Sequence, residues 1–162
     1  MKKILTLLLI LVLVLATVAC TKEAEQPSDA PFAQMTVNGT EIAIDAQAAA
    51  VLAALGKESA YEESPSCAFE GMDKLYSYSG YRVKTYSQNG VDYIYSVELM
   101  DDSLTTPEGL SIGADASKVT ELYGTPAQQN DSGMQFVHEN TTLQVLLRDG
   151  VVTNIQYLKS GT

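Results

Sequence analysis

Three side chains in this 162-residue sequence are the most able to do covalent or metal chemistry: Cys20, Cys67 and His138. Cys67 stands in the stretch EESPSCAFEG, residues 62–71. A cysteine nucleophile needs a base to form its thiolate. His138 is the sole histidine, and it falls in MQFVHE (134–139), whose alternation reads as a strand, on the same side as Phe136. No third residue is spaced to orient such a pair. One cysteine and one histidine are also too few ligands for a zinc site. The sequence has no glycine-rich phosphate loop, no His-Glu-x-x-His, no Ser-x-x-Lys and no Cys-x-x-Cys; the letters Gly-x-Ser-x-Gly occur once, as GLSIG at 109–113. The expectation is a protein that is not an enzyme, with no catalytic residue and no metal.

Cys20 has a different setting. Lys2 and Lys3 open the chain, Ile4 begins an apolar run that reaches Ala19, and TKEAEQPSD follows Cys20 at once. A charged start, a short apolar core and small residues at a cleavage point are the parts of a secretory signal. The run is shorter than a membrane span of about 20 residues. The ending Leu15-Ala16-Thr17-Val18-Ala19-Cys20 resembles the lipobox of bacterial lipoprotein signals, with Thr17 where that family prefers leucine. The resemblance implies cleavage before Cys20 and a diacylglyceryl, commonly also palmitoylated, Cys20 that anchors the chain to the membrane. In a cell with two membranes, Thr21 after the lipidated residue is similar to outer-membrane-sorted lipoproteins. No cofactor other than this covalent lipid on Cys20 is expected. The alternative is an ordinary secretory signal that ends near a cysteine.

The formal charge is −10, and no basic stripe interrupts it, so nucleic acid is not an expected partner. Residues 20–31 comprise the anchor cysteine and a polar, proline-bearing tether after a signal over 1–19. The rest divides on internal similarity. EIAIDAQAAAVLAALGKESAYEES (41–64) lies over GLSIGADASKVTELYGTPAQQNDS (109–132), with Ile44 on Ile112, Ala46 on Ala114, Val51 on Val119 and Gly56 on Gly124. Apolar residues three and four apart predict a helix in each, with Asp45 and Asp115 at the starts and Gly56 and Gly124 at the stops. Alternating runs follow: 74–79, 81–87 and 91–100 with an Asn89-Gly90 turn, then 134–139, 142–148 and 151–158 with Asp149-Gly150. A further hairpin is expected over 33–44 around Asn38-Gly39. The expected fold is α+β: two tandem helix-plus-three-stranded antiparallel meander repeats, 32–100 and 109–162, joined by a connector at 101–108 and preceded by the extra hairpin.

A short helix, then Tyr123-Gly124-Thr125-Pro126, then a meander ending in DGVVTNIQY resembles the envelope lipoprotein modules of the BamE/SmpA type. The doubled arrangement is similar to the β-lactamase-inhibitor-protein-like fold. The first resemblance implies an envelope scaffold and the second implies protein binding through a sheet face. Neither carries over a target or a binding residue.

The alignment gives the first copy about eight extra residues, PSCAFEGM at 65–72, between helix and sheet. Cys67, Phe69 and Glu70 thus sit on a candidate functional loop. The expectation is that Cys67 and Phe69 pack onto the core while Glu70 stays wet. Tyr76, Tyr78, Tyr81, Tyr86, Tyr93 and Tyr95 crowd the first set of strands. They read either as strand-forming core residues or as a candidate binding surface of large side chains with little entropy to lose. Asp101, Asp102 and Glu108 lie in the connector, but not in the order of an EF-hand loop. Together these features predict an extracytoplasmic, membrane-anchored lipoprotein that binds or scaffolds another envelope protein. Two alternatives stand beside it: a small-ligand or cation-binding surface lipoprotein, and a thiol-dependent enzyme or redox sensor using Cys67.

Overall fold

The computed structural model describes residues 31–161. Cys20 and the signal lie outside the described residues. Two tight turns set the main hairpins. β5 (Tyr81–Gln88) and β6 (Val91–Leu99) are joined through Asn89 and Gly90, both at positive φ (52° and 76°). β9 (Thr141–Arg148) and β10 (Val151–Lys159) are joined through Asp149 and Gly150 at 53° and 77°. Two consecutive positive φ values are the turn whose twist matches the flanking strands. A small ribbon, β1 (Thr36–Val37) and β2 (Thr40–Glu41), turns on Asn38-Gly39.

The remaining strands are β3 (Ala60–Pro65), β4 (Glu70–Ser77), β7 (Gln128–Asn130) and β8 (Gly133–His138). All eight larger strands make one antiparallel sheet in the order β3-β4-β5-β6-β10-β9-β8-β7. Helices α1 (Ala48–Leu55) and α2 (Ala116–Tyr123) are eight residues each. The expected α+β fold of two tandem helix-plus-three-stranded repeats is therefore corrected. The described part of the protein is mostly β, with 48% of the described residues in strands and 12% in helix, and its eight larger strands form a single sheet. Two strands escaped the sequence reading for a physical reason. All residues of β3 and β7 are exposed, so neither carries a hydrophobic alternation to detect.

β6 and β10 meet over only four residue pairs, Leu99 to Ser96 against Ile155 to Leu158. Each strand runs on past the other, and a segment leading into a helix occupies the vacated side. Asp45 N donates to Ile94 O and Ile94 N to Ala46 O, both at 2.9 Å. Gly113 N donates to Val152 O and Val152 N to Ala114 O, both at 2.8 Å. Asp45 and Gly113, at φ 70° and 90°, turn the chain out of the ladder toward each helix. Asp45 is thus not a helix cap; Gln47 and Asp115 occupy the cap positions, and neither makes a side-chain cap bond.

One core lies between the helices and one sheet face, built from Val83, Val97, Leu99, Leu143, Val145, Ile155 and Tyr157 below Ile42, Ala48, Leu110 and Val119. The segment between β6 and α2 is tied in by a polar chain. Leu110 N donates to Thr106 Oγ1 at 3.1 Å, Thr106 meets Tyr123 OH at 2.6 Å, and Tyr123 OH donates to Glu108 Oε2 at 2.9 Å. Glu108 Oε1 also accepts the Ala33 amide at 2.7 Å. Ile155 is fully buried at the β6–β10 junction. Ile155→Ala is expected to cost about 2–5 kcal/mol in denaturant unfolding, with an unchanged dependence on denaturant if the native sheet survives.

Candidate binding surface

The alternation that buries Val83, Val97, Ile155 and Val145 sends their neighbours to the opposite face, which no described element covers. There Ser77, Arg82, Glu98, Gln156, Gln144, Gln135 and Gln128 stand opposite one another in turn from β4 to β7. Arg82 pairs with Glu98 at 3.2 Å, and Asn154 Nδ2 donates to Glu98 at 2.7 Å. Beyond these charges the row is four glutamines on adjacent strands, flanked by exposed Val137 and Leu146. Such a row is invisible until register is known, because its members are far apart in sequence.

A second cluster sits on this face beside the β3–β4 hairpin. The Phe69 ring centroid lies 4.3 Å from that of Tyr86 and 5.8 Å from that of Tyr95, and Tyr86 lies 5.7 Å from Tyr93. Lys84 Nζ stands 5.1 Å from the Tyr95 ring and forms an ion pair with Asp73 at 3.0 Å. Tyr86 OH donates to Asp45, whose other oxygen takes Lys159 Nζ at 2.7 Å. Partial burial pushes the Asp45 carboxyl up, but hydrogen bonds from Lys159 and Tyr86 and the Lys159 charge together hold it below its ordinary value. Burial, then the bond to Asp45, push the Tyr86 phenol up, so it stays a neutral donor. Phe69, Glu70, Tyr86 and Lys159 line an open cleft of about 490 Å³.

The six tyrosines do not form one surface. Tyr76 and Tyr78 pack against the core, Tyr81 and Tyr86 are buried, and Tyr93 and Tyr95 are half-buried. The exposed aromatic is Tyr61 on β3, 43% accessible, with its ring 5.1 Å from Tyr76. The expectation that Cys67 and Phe69 pack onto the core is corrected. Phe69 packs on the opposite face, against Tyr86 and Tyr95, and Cys67 is exposed and free at the hairpin tip, where the Ala68 and Phe69 amides donate to Ser66 Oγ and turn the chain. Glu70 is exposed. His138 lies half-buried against Phe32, ring centroids 6.0 Å apart. Five strand spacings separate β4 from β8, about 24 Å, so Cys67 and His138 are no dyad. In the connector, Asp101 accepts the Ser103 amide at 2.9 Å and Glu108 is held by Tyr123, while Asp102 is exposed. Among the described residues no group of three or more His, Cys, Asp or Glu is placed to hold a metal ion.

The fold and its open face define a small β-rich module, one sheet under two short helices. No protein-family model matches the chain, and no curated protein matches it. A solved structure of a cysteine-rich secretory protein from Staphylococcus aureus is similar in fold, with a TM-score of 0.54 over 83% of this chain at 10% identity. The chain spans 48% of that protein's length.

Two measurements follow from this geometry. Cys67 is expected to react with maleimide in the folded protein at the rate of an open thiol, and Cys67→Ser to leave stability within about 0.5 kcal/mol. Slow labelling that needs denaturant would contradict the exposed tip. Asp45→Asn keeps the shape and the tolerance for positive φ but removes the charge. Because the folded carboxyl titrates below its unfolded value, near about 3.9, its contribution is present above that pH and lost as pH falls through the folded value. The variant is expected to lose about 0.5–1.5 kcal/mol at neutral pH and to show a flatter acid limb in unfolding between pH 2 and 5.

Proposed function

We propose that this protein is a lipid-anchored, extracytoplasmic, non-catalytic binding module, held at the membrane through Cys20, whose open sheet face engages another envelope protein. The observation that carries the reading is the uncovered face itself. It combines ready-made amide donors and acceptors in the glutamine row with exposed Val137 and Leu146, the mixture that protein interfaces use. The lipobox-like ending at Cys20 supports the membrane address. In a two-membrane cell, Thr21 supports the outer membrane. That a secretory protein carries a similar fold over 48% of its length accords with a place outside the cytoplasm. A small ligand in the cleft beside Phe69 is the second reading; it is weaker because the one lysine lining that cleft is already paired with Asp45.

A photo-crosslinking residue at Gln144 in intact cells is expected to give a recurrent protein adduct, absent when the same residue replaces Lys118 on the exposed side of α2. No adduct at Gln144, or the same adducts from both positions, would count against the open-face reading. Cys20→Ser is expected to move the protein from the membrane to the soluble fraction.

A further inference from the structure

The outermost strand β3 supports an inference separate from the open face. Its six residues pair with β4 alone, and every one of them is exposed. An unpaired strand edge presents amide and carbonyl groups that another strand can take up. Charge decides which strands this edge admits. Residues 57–77 hold five carboxylates (Glu58, Glu62, Glu63, Glu70, Asp73) against two lysines (Lys57, Lys74). Lys74 is already held by Asp92 at 2.6 Å, and Asp73 by Lys84 at 3.0 Å. Glu62 and Glu63 have no ion-pair partner among the described residues; Glu63 accepts only the Tyr61 hydroxyl, at 2.5 Å. That bond pushes the Tyr61 phenol up to about 12, so the ring stays neutral beside the carboxylate.

Pairing of β3 with β3 from a second copy would set these glutamates against one another, and like charges opposed across strands are destabilising. A cationic strand meets the reverse situation. The pleat puts Tyr61 and Glu63 on one face and Glu62 and Ser64 on the other, so each face offers one carboxylate. Tyr61, resting on Tyr76, adds an apolar platform next to Glu63. The geometry points to strand addition at β3: an extended segment of a protein partner, with adjacent lysine or arginine residues opposite Glu62 and Glu63 and an apolar residue over Tyr61, completes the sheet at this edge.

The test uses the full chain in detergent micelles and three blocked peptides: Val-Thr-Lys-Lys-Val-Thr, the same peptide N-methylated at alternate amides, and Val-Thr-Glu-Glu-Val-Thr. The first is expected to bind and to slow amide hydrogen exchange across residues 60–64. The N-methylated and the Glu-Glu peptides are expected to bind at least tenfold more weakly. The double variant Glu62→Lys, Glu63→Lys is expected to weaken the first peptide at least tenfold, with an unchanged unfolding midpoint as the check on folding. Absence of binding by the first peptide overturns the proposal. Equal binding of the N-methylated peptide also overturns it, since adhesion to surface charge needs no backbone ladder. The Gln144 cross-link reports on the open face alone, so either reading can fail without the other.

Discussion

The structure depends on the short overlap of β6 and β10. Four residue pairs join the two halves of the sheet, and two of them, Leu99 with Ile155 and Val97 with Tyr157, are fully buried apolar pairs. A longer overlap would consume the edges of both strands. Because it is short, each strand leaves backbone groups unpaired where its neighbour has ended. Buried backbone donors and acceptors need partners. Segments 45–47 and 113–115 supply them through bonds to Ile94 and Val152 and through bridges to Tyr93 and Val151. Each segment leads directly into a helix, so both helices start from the middle of the sheet and bury Ala48 and Val119 in the same core.

Gathering both helices on one face leaves the other to solvent, and the strands are built for that. β5, β8, β9 and β10 alternate buried, mainly apolar residues with half-buried or exposed, mainly polar ones. The outer residues are not arranged at random. On the β5–β6 side they neutralise one another, as Arg82 does with Glu98; on the β8–β9 side the amides Gln135 and Gln144 stand beside exposed Val137 and Leu146. The same molecule thus offers a charged, ion-paired half and a hydrogen-bonding half on one continuous surface.

Aromatic residues serve two separate purposes. Phe32, Tyr123, Phe136 and Tyr157 close the core beneath the entering chain, with Phe32 edge-on to both Tyr123 and Tyr157. Phe69, Tyr86, Tyr93 and Tyr95 instead cover the outer side near the β3–β4 hairpin and shelter the Asp45–Lys159 pair. That pair bridges the segment leading into α1 and the last strand. It therefore ties two parts of the chain 114 positions apart, at a place where Asp45 already holds a positive φ.

Local chemistry was legible in the sequence: Asn-Gly and Asp-Gly turns, glycines at φ 83° and 74° ending the two helices, and the alternation along β9 and β10. These depend on near neighbours, so the order of residues is enough to read them. Strands β3 and β7 were not, because an edge strand with no buried face has no periodicity to show. The position of Cys67 followed from β3: once that strand pairs with β4, the presumed insertion becomes a hairpin, and its tip is lifted clear of the core. The glutamine row, the division of the tyrosines between two faces and the acidic free edge were likewise decided only in the tertiary structure. Each depends on which strand lies beside which and in what register, a non-local choice made by burial of the β6–β10 pairs and by the need of every interior peptide group for a partner.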